Sequence, residues 1–445
     1  MSRICLIGDI LLDVTLQNND EPLKMRLGGI VHCARAFWAM NVDYSVAYFA
    51  PKCLVNQIEK YLFEFGAPEL IYLGEVISSP YVMLINEAKE IGNQGYEFLL
   101  RKDIEIIYDE SQLQCLSKFG EVIIISGNFE IGKVLYSLGK EARINIDFAN
   151  NMDDFLAFEK AGLHFEKIFI STSSDYFLNF YKQNTNFTIS SFFDNFKSLT
   201  NKIILKENRG GSRAFDFLLS EFKSVTAQTQ PIIHSVGVGD VYNVVTVIKN
   251  KANNFEESLN YASWIAAEYA LTTYPEDFKK MTQRVLNIPP AEIIAMKGIQ
   301  LPWELRNKIN IYIAAPDFDF VDKKFIEVLC SSLIYHNFLP RRPILENGQM
   351  AVNDNDERKK EIFSKDMQLF EECQIVVAVL LYNDPGTLVE IGVAAERKMP
   401  VFVYDPYNIA TNCMLTQTPN KVSSDLDVII SEVFLYSTKL ISNGL

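Results

Sequence analysis

Glu390 sits in "YNDPGTLVEIGVAAERKMPVFVYD", residues 382–405, where Asp, Gly and Thr precede one carboxylate on an otherwise apolar, Ala-rich segment. A carboxylate beside the anomeric carbon of a sugar can stabilise an oxocarbenium-like transition state or trap it covalently. A second acid is then needed to protonate or hold the departing group. The first carboxylate must stay ionised in a partly apolar pocket, which the macrodipole and free amides of a helix N-terminus favour. Asp384 and Gly386 read as a turn and Thr387 as a helix N-cap, which puts Glu390 at the third helical position. A capping box places glutamate at that same position, so these few residues leave a catalytic and a structural reading open.

A second constellation is "HSVGVGDVYNVV", residues 234–245. Consecutive amides at Gly237, Val238 and Gly239 would form a nest for an anion, with Asp240 at the start of the next element. Phosphoryl transfer uses such amides to cradle developing charge, and a carboxylate to take the acceptor hydroxyl's proton. Glycines beside an Asp also mark ordinary turns. The β-branched run "VYNVVTVI" reads equally as helix or strand.

The elements that must hold these groups follow a regular alternation. Short Ile/Val-rich runs ("RICLIGDIL", "EVIIISG", "ARINIDFA", "KIFIST", "KIILKE") are separated by amphipathic segments such as "HCARAFWAMNV". That order predicts parallel sheets covered by helices. At 445 residues the chain is too long for one ordinary core. The polar, Pro-containing stretch 275–308 marks the boundary, after which "INIYIAAP" opens a second α/β pattern. The expected division is 1–290, a linker at 291–308, and 309–445. Strands are expected at 309–315, 375–381 and 400–404, and helices near 321–336 and 387–397.

A formal net charge of −14 opposes general binding to nucleic acid or to an anionic membrane. The longest apolar runs, such as "IVVAVLLY", are too short to span a bilayer. The opening "MSRICLIGDILLDV" enters a strand-like run directly, so a cytoplasmic protein is expected. Seven scattered cysteines without a CxxC pair, and four histidines without zinc-ligand spacing, point to buried thiols and no metal site.

Over most of residues 1–275 the chain resembles the PfkB (ribokinase-like) carbohydrate and nucleoside kinases. "GDILLDV" looks like that family's opening strand, "LGGIVHCARAFWAMNV" its Gly-Gly substrate segment, and "SSPYVMLINEAKEIGNQGYEFLLR" its lid strands. "GVGD" looks like its anion hole and catalytic base, and "NYASWIAAEYAL" the helix that follows. The resemblance implies a three-layer α/β fold with a small β lid. It also implies Asp240 as base, Gly237, Val238 and Gly239 as anion hole, and Asp13, Gly29 and His32 around the sugar. ATP and magnesium are implied wherever such a domain is active. Several places differ. His32 stands where the family carries Asn, and Ser173 and Tyr176 occupy its Asn-x-x-Glu. The nucleotide-side "T-x-G-x-x-G" reads "KENRGG", keeping only Gly211 for phosphate, and His234 replaces an Asp.

Over residues 309–425 the chain resembles the nucleoside 2-deoxyribosyltransferases. The pattern D-x-G-x-x-x-E-x-G-x-A stands as Asp384, Gly386, Glu390, Gly392 and Ala394. "NIYIAAPDF" carries Tyr312, "FSKDMQLFEECQIVVAVL" carries Asp366, and "ATNCMLTQ" carries Asn412 and Met414. The resemblance implies a flavodoxin-like doubly wound parallel sheet and a homo-oligomer with active sites shared between subunits. It implies no cofactor for glycosyl transfer. Glu390 would be the nucleophile that forms a glycosyl ester, oriented by Tyr312. Asp384 and Asp366 would hold and protonate the nucleobase, with Phe318 stacked on it. Asn412 and Met414 would come from a neighbouring subunit. The expected activity is cleavage of the N-glycosidic bond of (deoxy)nucleosides by base exchange or hydrolysis. Its small-molecule partners would be nucleosides, nucleobases or sugars, within nucleotide salvage. The alternatives are an active sugar or nucleoside kinase with a regulatory second domain, and a nucleotide sensor without turnover.

Overall fold

A computed structural model describes residues 3–16, 23–77, 81–99, 104–148, 155–350 and 353–444. The ends of the expected lid segment, 78–80 and 100–101, and the last residue of "ARINIDFA", lie outside the described residues. The chain divides into two compact units. Unit 1 comprises residues 1–90 and 94–300, and unit 2 comprises 91–93 and 301–445.

In unit 1 the strands are β1 (Ile4–Asp9), β2 (Leu12–Thr15), β3 (Lys24–Leu27), β4 (Tyr44–Ala50), β5 (Leu70–Val76), β6 (Val82–Ile85) and β7 (Glu97–Phe98). They continue as β8 (Ile106–Tyr108), β9 (Glu121–Ile125), β10 (Arg143–Asp147), β11 (Phe165–Ser171), β12 (Thr200–Lys206), β13 (Ser212–Asp216) and β14 (Glu221–Val225). Ten form one sheet in the order β14-β13-β12-β11-β10-β9-β1-β4-β5-β8. Its interior, from β12 to β5, is parallel, and only the edges are antiparallel. Every residue of β1 and of its parallel neighbour β4 is buried, which explains why the run "RICLIGDIL" reads as nearly continuously apolar rather than alternating. A separate small sheet, β3-β2-β6-β7, takes β6 and β7 from the segment expected to form a lid and β2 from the expected opening strand, with β3 just ahead of the Gly-Gly pair.

The ambiguous run after "GVGD" is a helix, Val238–Lys249, started by Gly237 at φ 82°. Its valines bury against helices Val31–Ala39 and Phe255–Ala270 in one core, so packing overrides their β propensity.

Unit 2 holds β15 (Asn310–Ala314), β16 (Leu339–Arg341), β17 (Ile375–Val379), β18 (Val401–Tyr404) and β19 (Lys421–Ser423). All pair in parallel, in the order β16-β15-β17-β18-β19. The order reverses between β15 and β17, and a ligand crevice forms beyond the carboxyl ends of strands at such a switch point. This is the flavodoxin-like arrangement expected, and the two sheets together give the α/β architecture read from the alternation. Ile391 and Ala394 pack beneath helix Pro385–Glu396 with Tyr312, Val376 and Ala378. Arg306 is fully buried elsewhere in the unit, its guanidinium 5.1 Å from the Trp303 ring and 5.0 Å from that of Phe434. It donates to the carbonyls of Leu301 (3.1 Å) and His336 (3.4 Å). Among the described residues no helix is long and apolar enough to cross a membrane. All seven cysteines are free thiols.

Candidate functional site

Unit 2 gathers its acidic groups around the start of one helix. The N-cap of helix Pro385–Glu396 is Asp384, not Thr387 as the sequence suggested. Asp384 Oδ2 accepts from Thr387 N at 2.7 Å and from Thr387 Oγ1 at 2.9 Å, and Pro385 fills the first helical position. An Asp before Pro is a stronger start signal than the later Thr, because Pro has no N–H to satisfy and its φ is already helical. Counted from Pro385, Glu390 is the sixth helical residue, too far along to close a capping box. Asp384→Ala should therefore cost unit 2 about 1–2 kcal/mol, and Asp384→Asn, which keeps a capping oxygen, much less. Urea unfolding of the two variants checks this.

The Glu390 side chain turns instead to the sheet. Tyr312 in β15 is 1% exposed and donates its hydroxyl to Glu390 Oε1 at 2.6 Å. The Tyr312 ring is held edge-on against Phe370 at 4.8 Å. Burial, with the nearby Glu390 carboxylate, pushes the Tyr312 phenol far up, so it stays protonated as a donor. Burial likewise pushes Glu390 up to about 7; the Tyr312 bond opposes this, and Asp366 and Asp384 add to it. Asp366, on helix Asp356–Glu371, accepts from Asn347 Nδ2 at 2.9 Å, and burial raises its carboxyl as well. The structure thus brings Tyr312, Glu390, Asp366 and Asp384 within electrostatic reach of one another. Nothing in "ILENGQM" pointed to Asn347 as the partner of Asp366.

The remaining expected residues of unit 2 make other contacts. Asn412 caps helix Cys413–Gln417 by accepting from Met414 N at 2.8 Å. Met414 is 71% exposed. Phe318 stacks on Phe320, with ring centroids 5.4 Å apart and planes 7° apart. Arg341 pairs with Glu346 and Glu372, while Arg342 pairs with Asp317 (2.7 Å) and Glu327 (3.0 Å). Both guanidinium groups are thus engaged by the unit's own carboxylates.

Unit 1 has a second cluster at the carboxyl ends of its parallel strands. Asp13 in β2 is buried and accepts from His32 Nε2 at 3.2 Å. His32 Nδ1 lies 2.7 Å from the Tyr269 hydroxyl, which itself accepts from Arg35 Nη1 at 3.1 Å. The tyrosine proton therefore goes to Nδ1, leaving Nε2–H for Asp13. Burial pushes His32 down to about 4, so it is neutral at pH 7. Gly237 must be glycine: its φ is left-handed, and a Cβ there would strike the His32 ring.

Asp240 is the third residue of helix Val238–Lys249, and burial pushes it up to about 7. Lys206 opposes that rise, while Asp147 and Asp13 add to it. Gly239 and Val238 lie at this helix start, with Lys206 Nζ the nearest side-chain atom to where a Gly239 Cβ would sit. Lys206, at the end of β12, donates to Asp147 Oδ2 at 2.6 Å and to Asn243 Oδ1 at 3.1 Å. Asn243 Nδ2 donates to the same Asp147 oxygen at 2.6 Å. Gly29 (φ 63°) lies just before Ile30, the N-cap of helix Val31–Ala39, and Gly211 (φ 96°) closes the turn after β12. Asn208 keeps a left-handed φ of 52° where the resembled motif has its first glycine. Ser173 Oγ pairs with Ser171 Oγ at 2.8 Å, and Tyr176 packs on Phe192 and Phe196. His234 is buried, bonded to the Thr272 carbonyl at 2.8 Å, and pushed down to about 4 by burial. Among the described residues no group of three or more His, Cys, Asp or Glu side chains is placed to hold a metal ion.

Residues 311–423 match the family model of the nucleoside 2-deoxyribosyltransferases, and this stretch carries a domain of that family. No curated protein matches the chain. Among solved structures it is similar to phosphofructokinase-2 from Escherichia coli in complex with fructose-6-phosphate, at 13% identity and a TM-score of 0.48. That alignment covers 64% of this chain and 100% of the other. Ribokinase from Thermotoga maritima aligns at 12% identity and a TM-score of 0.47, covering 65% and 100%. The Methanocaldococcus jannaschii nucleoside kinase, an archaeal member of the ribokinase family, aligns at 12% and 0.44, covering 65% and 99%.

Proposed function

We propose that unit 2 cleaves the N-glycosidic bond of a (deoxy)nucleoside through a covalent ester on Glu390. The observation that carries this reading is the 2.6 Å bond from Tyr312 to Glu390, with Asp366 and Asp384 beside it. A Glu390 oxygen attacks C1′ as the C1′–N bond breaks, and the bond's electron pair passes to the base nitrogen. Asp366, whose carboxyl burial raises toward its protonated form, gives that nitrogen a proton while Asp384 holds the base. A second base, or water, then attacks C1′. Glu390 leaves with the ester electron pair and Asp366 recovers a proton. Tyr312 steadies the carboxylate before attack and lets go as its charge is lost.

Nucleosides are favoured over nucleotides, because Arg341 and Arg342 are already ion-paired. The exposed Asn412 and Met414 suit a role at a neighbouring copy's site within a homo-oligomer, and a strictly monomeric mass in solution would remove that part of the reading. The deciding assay supplies deoxyinosine and free adenine. New deoxyadenosine marks transfer, and hypoxanthine alone marks hydrolysis. Neither product, together with an inert Glu390→Ala, would end the proposal.

The site also carries a pH expectation. Glu390 must be ionised to attack, so the rate should rise through pH 7 and be lost on acidification. Tyr312→Phe removes a bond that stabilises the ionised form. The rate should fall by about two orders of magnitude, and the acid limb should move to higher pH. A pH–rate profile with an unmoved limb would count against Tyr312 as the residue that tunes Glu390.

A further inference from the structure

The kinase resemblance of unit 1 implies magnesium, so the residues present must be asked whether they suit it. Magnesium takes hard oxygen ligands in near-ideal octahedral geometry, usually one or two carboxylates with waters and substrate phosphates. The two positions that would supply an amide and a carboxylate hold Ser173 and Tyr176. The first pairs with another serine, and the second packs its ring among phenylalanines. At the neighbouring strand end, Asp147 Oδ2 already accepts from Lys206 Nζ and Asn243 Nδ2, each at 2.6 Å. Lys206 is itself largely buried, its side chain 15% exposed. An ammonium at that distance from a carboxylate repels a second cation arriving at the same oxygen, and in a largely buried site water screens the repulsion poorly. The donor set does not fit magnesium.

We infer that unit 1 has replaced a divalent-cation site by the Lys206 ammonium, so that its cleft needs no magnesium and transfers no phosphoryl group. The arrangement is self-contained. Asn243, on the helix that carries Asp240, bonds to both partners of the pair and fixes their geometry. The lysine also lies beside Gly239 and lowers the cost of ionising Asp240. It thus supplies locally the positive charge that a metal would have brought. Sequence alone hid this substitution, because a lysine ending the strand "KIILKE" reads as an ordinary solvated strand end.

The test uses the full chain and manganese as the probe, with bound Mn2+ counted by electron paramagnetic resonance. Wild type and Asp147→Asn should bind Mn2+ equally. Lys206→Met should gain a site at least about tenfold tighter than any in wild type, by freeing Asp147 while keeping the apolar stem. That gain should vanish in the Lys206→Met, Asp147→Asn double variant. If Lys206→Met proves unfolded by circular dichroism, Lys206→Gln is read in its place. In parallel, ATP consumption with magnesium and ribose, fructose 6-phosphate or adenosine should stay at background. Three results would each overturn the inference: wild-type Mn2+ binding that falls in Asp147→Asn, no gain on removing the lysine charge, or ATP consumption that Asp240→Asn abolishes.

Discussion

Glu390→Gln should abolish base release from deoxyinosine, by at least about three orders of magnitude, while making unit 2 more stable at neutral pH. The two effects share one cause. Glutamine keeps the shape and a hydrogen-bond acceptor for Tyr312, but it has no electron pair nucleophilic enough to open C1′. The stability gain follows from the raised carboxyl, at about 7 against an ordinary 4.5. The folded chain therefore holds this proton more tightly than the unfolded chain does. The resulting stabilisation is complete below pH 4.5 and is lost as pH rises through about 7. Above that range the wild type carries a desolvated charge costing on the order of 1–3 kcal/mol, which the variant lacks. Urea midpoints should coincide near pH 4 and separate at pH 8, with the variant higher. A variant that is inactive and also less stable at pH 8 would mean that the glutamate serves the fold, not the chemistry.

Arg306→Ala should be the most damaging substitution in unit 2 outside the site, costing about 3–5 kcal/mol. The side chain is fully buried between two aromatic faces, and it satisfies the carbonyls of Leu301 and His336. Truncation opens a cavity and orphans acceptors at once. Arg306→Met refills the space without the donors and should recover about half of the loss. Chemical denaturation read by the fluorescence of Trp303, which lies against the guanidinium, checks both variants. A loss below about 1 kcal/mol would show that the surrounding rings close the gap by themselves.

Much of the frame was legible because parallel strands buried on both faces leave uninterrupted Ile/Val runs. The expected strands 309–315, 375–381 and 400–404 are β15 (Asn310–Ala314), β17 (Ile375–Val379) and β18 (Val401–Tyr404). The β-branched helix after Gly237 was ambiguous because every residue from Val241 to Val247 is buried, leaving no exposed face to set a period. The cap of the Glu390 helix was misplaced by three residues because Thr387 looks like a cap, whereas the Asp-Pro step ahead of it sets the start. What the sequence could not carry was pairing across distance. Tyr312 and Glu390 lie 78 residues apart, and Lys206 and Asp147 are 59 apart. Each partner taken alone has an unremarkable neighbourhood. Only the resemblance put Tyr312 beside Glu390, and nothing placed Lys206.

The phenol–carboxylate bond between β15 and the Glu390 helix also gives the protein a spectroscopic signature. On the proposed mechanism, esterification of Glu390 would turn the charged acceptor into a neutral ester oxygen, and the short charge-assisted bond from Tyr312 would lengthen or break. With isotope-labelled tyrosine, the ring mode sensitive to O–H bonding would move when substrate is added and return when the ester turns over. Tyr312 would then act as an internal clock for the covalent intermediate, separating the filling of the site from its emptying in a single trace. The signal would be silent in Glu390→Gln, whose amide never becomes an ester.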